Sequence, residues 1–364
     1  MFTHHHLKRT VPDPQVLLVY PSKGGLFHYS NHLASSLKSQ SVNTARLEVY
    51  LTGVGSFFTT LVTVMKLRCQ IVHINAHMLS WSHSRYLNGL ASLYPILFRL
   101  NRKQVVVTLH NMPDFVDVQE ISGKYHIGLA TRLLGRLAVW LYCRANVVCV
   151  TVKHYEQYLR SKYRARVIFV EHGCYEPTEF SQSRTRKILA FGYITPYKDY
   201  ETLFRAFRRV ASLDPSAQLV IAGTSHPFFP EMLNRVKNAG TDVPNLSFVG
   251  HVAEDQIGGI FSSAAVVVLP YLTSTGTSGV FHMACCHGRA VIASDTPEFR
   301  ALVKEGAAAL IFRTKDEIEL ADQMIRVLNL QDLRHEMETL NYKFATDNSI
   351  DRSSKKYVKI YSDL

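Results

Sequence analysis

No apolar run in this 364-residue chain approaches the length needed to span a bilayer. The N-terminal stretch also lacks the apolar h-region of a secretory signal, so a cytoplasmic protein is expected. The six cysteines (69, 143, 149, 174, 285 and 286) include no Cys-x-x-Cys spacing, which favours reduced thiols over a disulfide or zinc framework. The first βα turn lacks the G-x-G-x-x-G fingerprint, which disfavours a nicotinamide-dependent enzyme. No aspartate-rich motif points to a divalent ion, and the His4-His5-His6 triplet beside Lys8 and Arg9 reads as a chain end rather than a metal site. Neither a metal nor a bound cofactor is therefore expected. There is no short internal repeat.

The charge that is present is unevenly spread. Residues 1–180 hold 20 Lys and Arg against 9 Asp and Glu, whereas residues 181–364 hold 21 against 20. A basic half joined to a neutral half suggests that one domain meets an anionic surface. No nucleic-acid motif accompanies the charge. Two helical stretches, 94–103 and 129–144, set Arg and Lys beside Leu, Phe and Trp140, a pattern suited to the inner face of an anionic membrane.

The chain is organised around residues 264–295. Val266–Leu269 reads as a buried strand, closed by Pro270 and Tyr271. Past Leu272 come seven Thr, Ser and Gly residues, 273–279, among them Thr275, Thr277, Ser278 and Gly279. A helix carrying Val280, Phe281, Met283 and Ala284 follows and stops at Gly288; a second strand covers Ala290–Ala293. Strand, small polar loop and helix start together offer unpaired backbone N–H groups to an anion.

Strands alternate with helices in both halves, which predicts an α/β protein with parallel sheets. In the first half Val16–Tyr20 leads into Gly24 and Gly25, and Val105–Leu109 delivers His110 at its carboxyl end, where α/β sheets place ligands. In the second half Ile188–Phe191 leads into Gly192, Thr195 and Lys198, just ahead of a helix; Lys198 is placed to act as a point charge for a diphosphate. The expected organisation is a first domain at 1–175, a linker at 176–187, a second domain at 188–345 and a tail at 346–364.

These residues resemble the retaining family 4 glycosyltransferases of the GT-B fold. FGYITPYKDYETLFRAF, FVGHVAEDQIGGIFSSAAVVVLPY and GRAVIASDTPEFRALV are similar to that family's second-half blocks; GGLFHYSNHLASSL, TLHN and VEHG are similar to its first-half and linker landmarks. The resemblance implies two Rossmann-like domains with parallel sheets facing across a cleft, the tail crossing back to the first. It implies a donor held mainly by the second domain and an acceptor by the first. By position, Gly24 and Gly25 would border the diphosphate or the acceptor, and His110 would lie near the donor sugar. Lys198 would neutralise the diphosphate, and Gly192, Thr195, Thr275, Thr277, Ser278 and Gly279 would line the donor. The two glutamates that many members carry eight positions apart fall here on Thr275 and Met283, and a thioether accepts ribose hydrogen bonds far less well than a carboxylate. Glu298 or Asp295 is the replacement expected.

The implied reaction moves a sugar from a UDP- or GDP-linked donor to a hydroxyl with retention, the leaving phosphate taking the acceptor proton. The expected acceptor is a lipid-linked or membrane-presented saccharide in glycan or exopolysaccharide synthesis. The competing reading is a catalytically silent nucleotide-sugar-binding or scaffolding subunit.

Overall fold

The computed structural model describes residues 15–78, 80–115, 129–175, 177, 179–273 and 276–364, and only the backbone of 129–131. The first lobe is a parallel sheet of β1 (Val16–Pro21), β2 (Thr44–Val49), β3 (Ile71–Ala76), β4 (Gln104–Leu109), β5 (Val147–Val150) and β6 (Val167–Phe169) in the order β2-β1-β3-β4-β5-β6. Its helices are α1 (Gly25–Ser39), α2 (Val54–Lys66), α3 (Arg85–Ala91), α4 (Tyr94–Leu100), α5 (Leu129–Tyr142) and α6 (Lys153–Tyr163). The second lobe repeats the plan with β7 (Lys187–Phe191), β8 (Gln218–Ala222), β9 (Leu246–Gly250), β10 (Val266–Leu269), β11 (Ala290–Ser294) and β12 (Ala309–Phe312), ordered β12-β11-β10-β7-β8-β9 and again parallel. Around it stand α7 (Tyr200–Leu213), α8 (Met232–Ala239), α9 (Glu254–Ser262), α10 (Gly279–Cys286), α11 (Pro297–Lys304), α12 (Glu317–Asn329) and α13 (Gln331–Asp347). A last helix, α14 (Ile350–Ser362), returns to the first lobe.

Both sheets are buried on two faces, which explains why their strands read as continuous apolar runs. In β1, Leu17 and Val19 enter one core and Val16, Leu18 and Tyr20 the other. In β10, Val266 and Val268 face one side and Val267 and Leu269 the opposite side. Each such side chain contributes about 1.5–3 kcal/mol of burial. The strand that apolar runs do not reveal is β2, at the sheet edge: Leu47 and Val49 point inward while Arg46 and Glu48 are exposed. Its pattern is alternation, not a run.

The chain crosses between lobes twice, and the two crossings are tied side by side. Cys174 donates its N–H to Asn348 O (2.7 Å), and Ile350 donates to Cys174 O (2.7 Å). Beyond that point α14 sinks Ile350, Tyr357, Ile360 and Tyr361 into the core formed with Val16, Leu18 and Tyr29. Its polar atoms are met: the Tyr357 hydroxyl lies 3.2 Å from that of Tyr29 and 2.9 Å from Thr108 Oγ1, and the Tyr361 hydroxyl lies 2.6 Å from His73 Nδ1. The stretch expected as a linker runs along the second lobe. Arg289 donates to Ser181 O, and Glu338 accepts from the Ser183 N–H (3.1 Å); both charged side chains are fully buried.

Gly173 sits where the crossings meet, with φ of +79° and space for a Cβ only 2.8 Å from the Ile350 Cα. Gly173→Ala should therefore cost about 2–4 kcal/mol in urea unfolding, from left-handed strain plus a backbone clash. Gly259→Ala, in helix α9 with open space around it, should shift stability by no more than about 1 kcal/mol, toward the stable side.

Candidate active site

Four loops, those after β1, β4, β7 and β10, meet between the lobes. Gly24 takes φ of +80° at the start of α1, and a Cβ there would lie 3.9 Å from the ring of Tyr193 in the opposite lobe. Gly276, at φ +110°, presses on the loop after β4: a Cβ would overlap His110 O at 1.9 Å. Gly192 has φ +93°, and a Cβ would sit 3.3 Å from both Lys198 Nζ and Val280 Cγ2. Only hydrogen fits at Gly276, and at Gly192 a methyl would intrude between the lysine ammonium and the start of α10. The structure thus brings Gly24, Gly192, Lys198, His110 and the loop leading into α10 to one place. Gly25 opens α1 beside Gly24, with nothing within 4 Å of its missing Cβ.

Lys198 is 6% exposed; its ammonium donates to Phe191 O (2.7 Å) and lies 5.7 Å from the centre of the Tyr271 ring. Burial lowers its pKa to about 7. At neutral pH it is poised between charged and neutral forms, and an arriving diphosphate would hold it charged. Beside it, α10 begins with Gly279 and Val280, whose amides precede the first intrahelical bond, His282 N–H to Ser278 O.

The hydroxyls expected to face a donor have other work. Ser278 caps α10 by accepting from the Phe281 N–H (3.3 Å), and Thr277 donates across the cleft to Thr151 O (3.2 Å) and lies 3.0 Å from Thr151 Oγ1. At these two positions the loop offers backbone amides rather than side-chain hydroxyls. Thr275 lies outside the described residues. Thr195 is buried under the loop after β7, its carbonyl accepting from the Lys198 N–H. Glu298 reaches back to the first lobe, where its Oε1 accepts from the Tyr155 hydroxyl (3.1 Å), and Asp295 is paired with Arg300.

Three expected residues carry a buried polar atom with no hydrogen-bond partner: His110 Nε2, Thr195 Oγ1 and Glu298 Oε2. Unmet polar atoms inside a protein are rare and mark places where a ligand or water completes the site. His110 is 5% exposed, its ring 4.6 Å from Tyr29 and 5.9 Å from His172. Burial, then the neighbouring His172, His77 and His73, lower its pKa well below the usual value. It is a neutral imidazole, able to make a hydrogen bond but not to carry charge.

Two histidines not expected at the site from the sequence, His172 and then His282, pack in a row from His110. Their rings lie 4.8 Å apart, and His172 also packs 4.8 Å from Tyr29. Burial lowers the pKa of both, that of His172 to about 3. The signal available was the strand-end rule that exposed His110: His172 closely follows β6, and His282 stands one turn beyond Ser278.

Comparison with known proteins fits this geometry. Residues 185–330 match the family described as glycosyl transferases group 1. A GDP-mannose:glycolipid 4-beta-D-mannosyltransferase of Xanthomonas campestris pv. campestris is 30% identical over 136 residues, which is 37% of this chain and 38% of that protein. The match thus spans well under half of that relative. Over 96% of the chain, the fold superposes on the sucrose-phosphate synthase of Thermosynechococcus elongatus (TM-score 0.73, 18% identity, 98% of that chain). It also superposes over 96% on Anabaena HepE solved with UDP-glucose (TM-score 0.74, 13% identity, 100% of that chain).

A charged group held in a dry site destabilises the fold unless a ligand is present. Because its pKa falls from 10.5 to about 7 on folding, Lys198 binds fewer protons folded than unfolded between those values, so its cost is greatest below pH 7 and fades as pH rises toward 10.5. Lys198→Met should stabilise the ligand-free protein at pH 6–7 by on the order of 2 kcal/mol, with a smaller gain at pH 10, in thermal unfolding across pH.

Proposed function

We propose that this chain, whose residues 185–330 match the group 1 glycosyltransferases on a frame of GT-B type, is an enzyme that moves a sugar from a UDP- or GDP-linked donor to a saccharide hydroxyl with retention of configuration. The observation that carries this reading is the meeting of the Lys198 ammonium with the start of α10 over Gly192. A leaving diphosphate gains negative charge as its bond to the sugar breaks, and preorganised donors in a dry site stabilise that charge most effectively. In this reading Lys198 and the α10 amides hold the diphosphate without a metal ion. His110, neutral and with a free Nε2, hydrogen-bonds the donor sugar, and Thr195 Oγ1 completes the contact beneath it. The acceptor proton leaves on the diphosphate, so no protein nucleophile is assigned.

The name of the Xanthomonas relative, a glycolipid mannosyltransferase, supports a lipid-linked saccharide as acceptor. The basic first lobe supports presentation at the inner face of a membrane in glycan or exopolysaccharide synthesis. A silent nucleotide-sugar binder is the second reading: Met283, where many relatives of this type carry a carboxylate, packs against the second-lobe core.

A thermal-shift screen with UDP, GDP and ADP, alone and sugar-linked, should show stabilisation of about 2.7 kcal/mol at a hundredfold excess over the dissociation constant for the right nucleotide. Lys198→Ala should abolish that shift and lower transfer or donor hydrolysis by about 10²–10³-fold. Absence of any nucleotide shift sinks the reading; a shift without turnover assigns the silent binder.

A further inference from the structure

The exposed large hydrophobic side chains described in the first lobe all lie on one layer of helices, α2 to α5. Helix α2 shows Phe58, Val62 and Met65 to solvent at 55%, 45% and 42% exposure; α5 shows Leu133, Leu137 and Trp140 at 53%, 50% and 42%. Each set repeats at i, i+4 and i+7, so each is a single stripe on one helix face. Helix α4 packs against both and exposes Leu100. In the second lobe, exposed hydrophobics are scattered over separate elements.

The charges on this layer have one sign. No Asp or Glu occurs between Glu48 and Asp114, or between Glu120 and Glu156. The four helices therefore carry only cations, Lys66, Arg85, Arg99, Arg132 and Arg136, with Arg68, Arg102, Lys103 and Arg144 at their ends. The nearby acid, Asp114, is already held by Arg136 (2.8 Å) and Lys162 (3.2 Å).

We infer that the α2–α5 layer is a docking face for an anionic lipid bilayer. Acyl chains accept the two apolar stripes while lipid phosphates meet the surrounding cations. A second copy of the face would set cations against cations. No described helix is long and apolar enough to cross a membrane, so the contact is one of lying on the surface. Helix α2 starts just past the carboxyl end of β2, the edge of the sheet that also delivers Gly24 and His110, so the docked lobe holds the cleft rim close to the headgroups. This deepens the glycolipid-acceptor reading and rests on it only for the purpose of docking.

The chain has two tryptophans, and Trp81 is fully buried, so a change in emission on docking reports Trp140. With vesicles of phosphatidylcholine containing about one third phosphatidylglycerol, the full chain should co-sediment at low salt and shift its emission to the blue, and high salt should weaken both. Phe58→Asp with Leu137→Asp, both at exposed positions, should lower vesicle binding at least about tenfold while leaving the melting temperature and the shift with soluble UDP or GDP unchanged. Undiminished binding by that variant, or no binding of the wild type at low salt, overturns the inference. A dimer in light scattering that the same variant dissolves would also overturn it, by giving the face to a second copy. Loss of the nucleotide shift with vesicle binding intact would instead count against the sugar-transfer reading alone.

Discussion

An ammonium removed from water needs an anion beside it, and in this protein the group so placed is Lys198. Its described polar contact is a neutral carbonyl, that of Phe191, and burial brings its pKa down to about 7. Much around it follows from keeping that position dry yet open to a ligand. Gly192 leaves a gap where any side chain would fill the space between Nζ and Val280, and Gly223, whose Cβ would meet Gly192 O at 2.1 Å, lets the neighbouring strand end approach. A site unfavourable when empty becomes favourable when an anion fills it, and in the proposed reading that anion is a diphosphate.

The two lobes meet in two physically different ways. On the crossing side they are joined by paired backbone bonds at Cys174 and Ile350 and by the apolar docking of α14. On the cleft side they touch through side chains: Thr277 to Thr151, Glu298 to Tyr155, and His28 to Glu254 at 3.1 Å. These polar contacts are each worth about 1 kcal/mol or less, and beside them Gly276 packs closely on His110 and the His83 ring meets that of Phe228 at 5.6 Å. Undocking α14 would expose tyrosines whose hydroxyls are bonded inside the first lobe.

Much of this was legible in the residues because parallel sheets buried on both faces write themselves as apolar runs. Five strands of the second lobe fall where such runs stand, with the edge strand β9 alternating between half-buried and exposed residues, and the positive-φ glycines 24, 192 and 276 lie in loops recognisable by their small residues. Strand β2 was hidden because an edge strand alternates. The contacts of Glu298 and Thr277 were hidden for another reason: their partners, Tyr155 and Thr151, lie more than a hundred positions away, and no local pattern encodes a pairing across a cleft. The exposed stripes of α2 and α5 belong to this class too. Periodicity shows that a helix has an apolar face; only the fold shows which apolar residues remain uncovered.

The same geometry bears on what part of a donor this site reads. In the proposed reading, a carboxylate gripping the ribose would replace the one that the family resemblance expects where Met283 stands; of the two nearby candidates Asp295 is engaged, while Glu298 keeps one oxygen unpartnered. Asp295 is locked to Arg300, which also holds its pKa below the usual carboxylate value, and Glu298 has one oxygen committed to Tyr155. The groups left unmet are His110 Nε2, Thr195 Oγ1 and Glu298 Oε2, and in the proposed reading the first two serve with Lys198 at the sugar and diphosphate end. Recognition concentrated there depends on charge and on sugar hydroxyls. A hydroxyl-binding site rejects the wrong sugar strongly because an unmatched donor or acceptor is left buried, whereas a base that meets few dedicated polar groups is discriminated weakly. In the proposed reading, selectivity in this cleft would be set by the transferred sugar more than by the nucleoside that carries it.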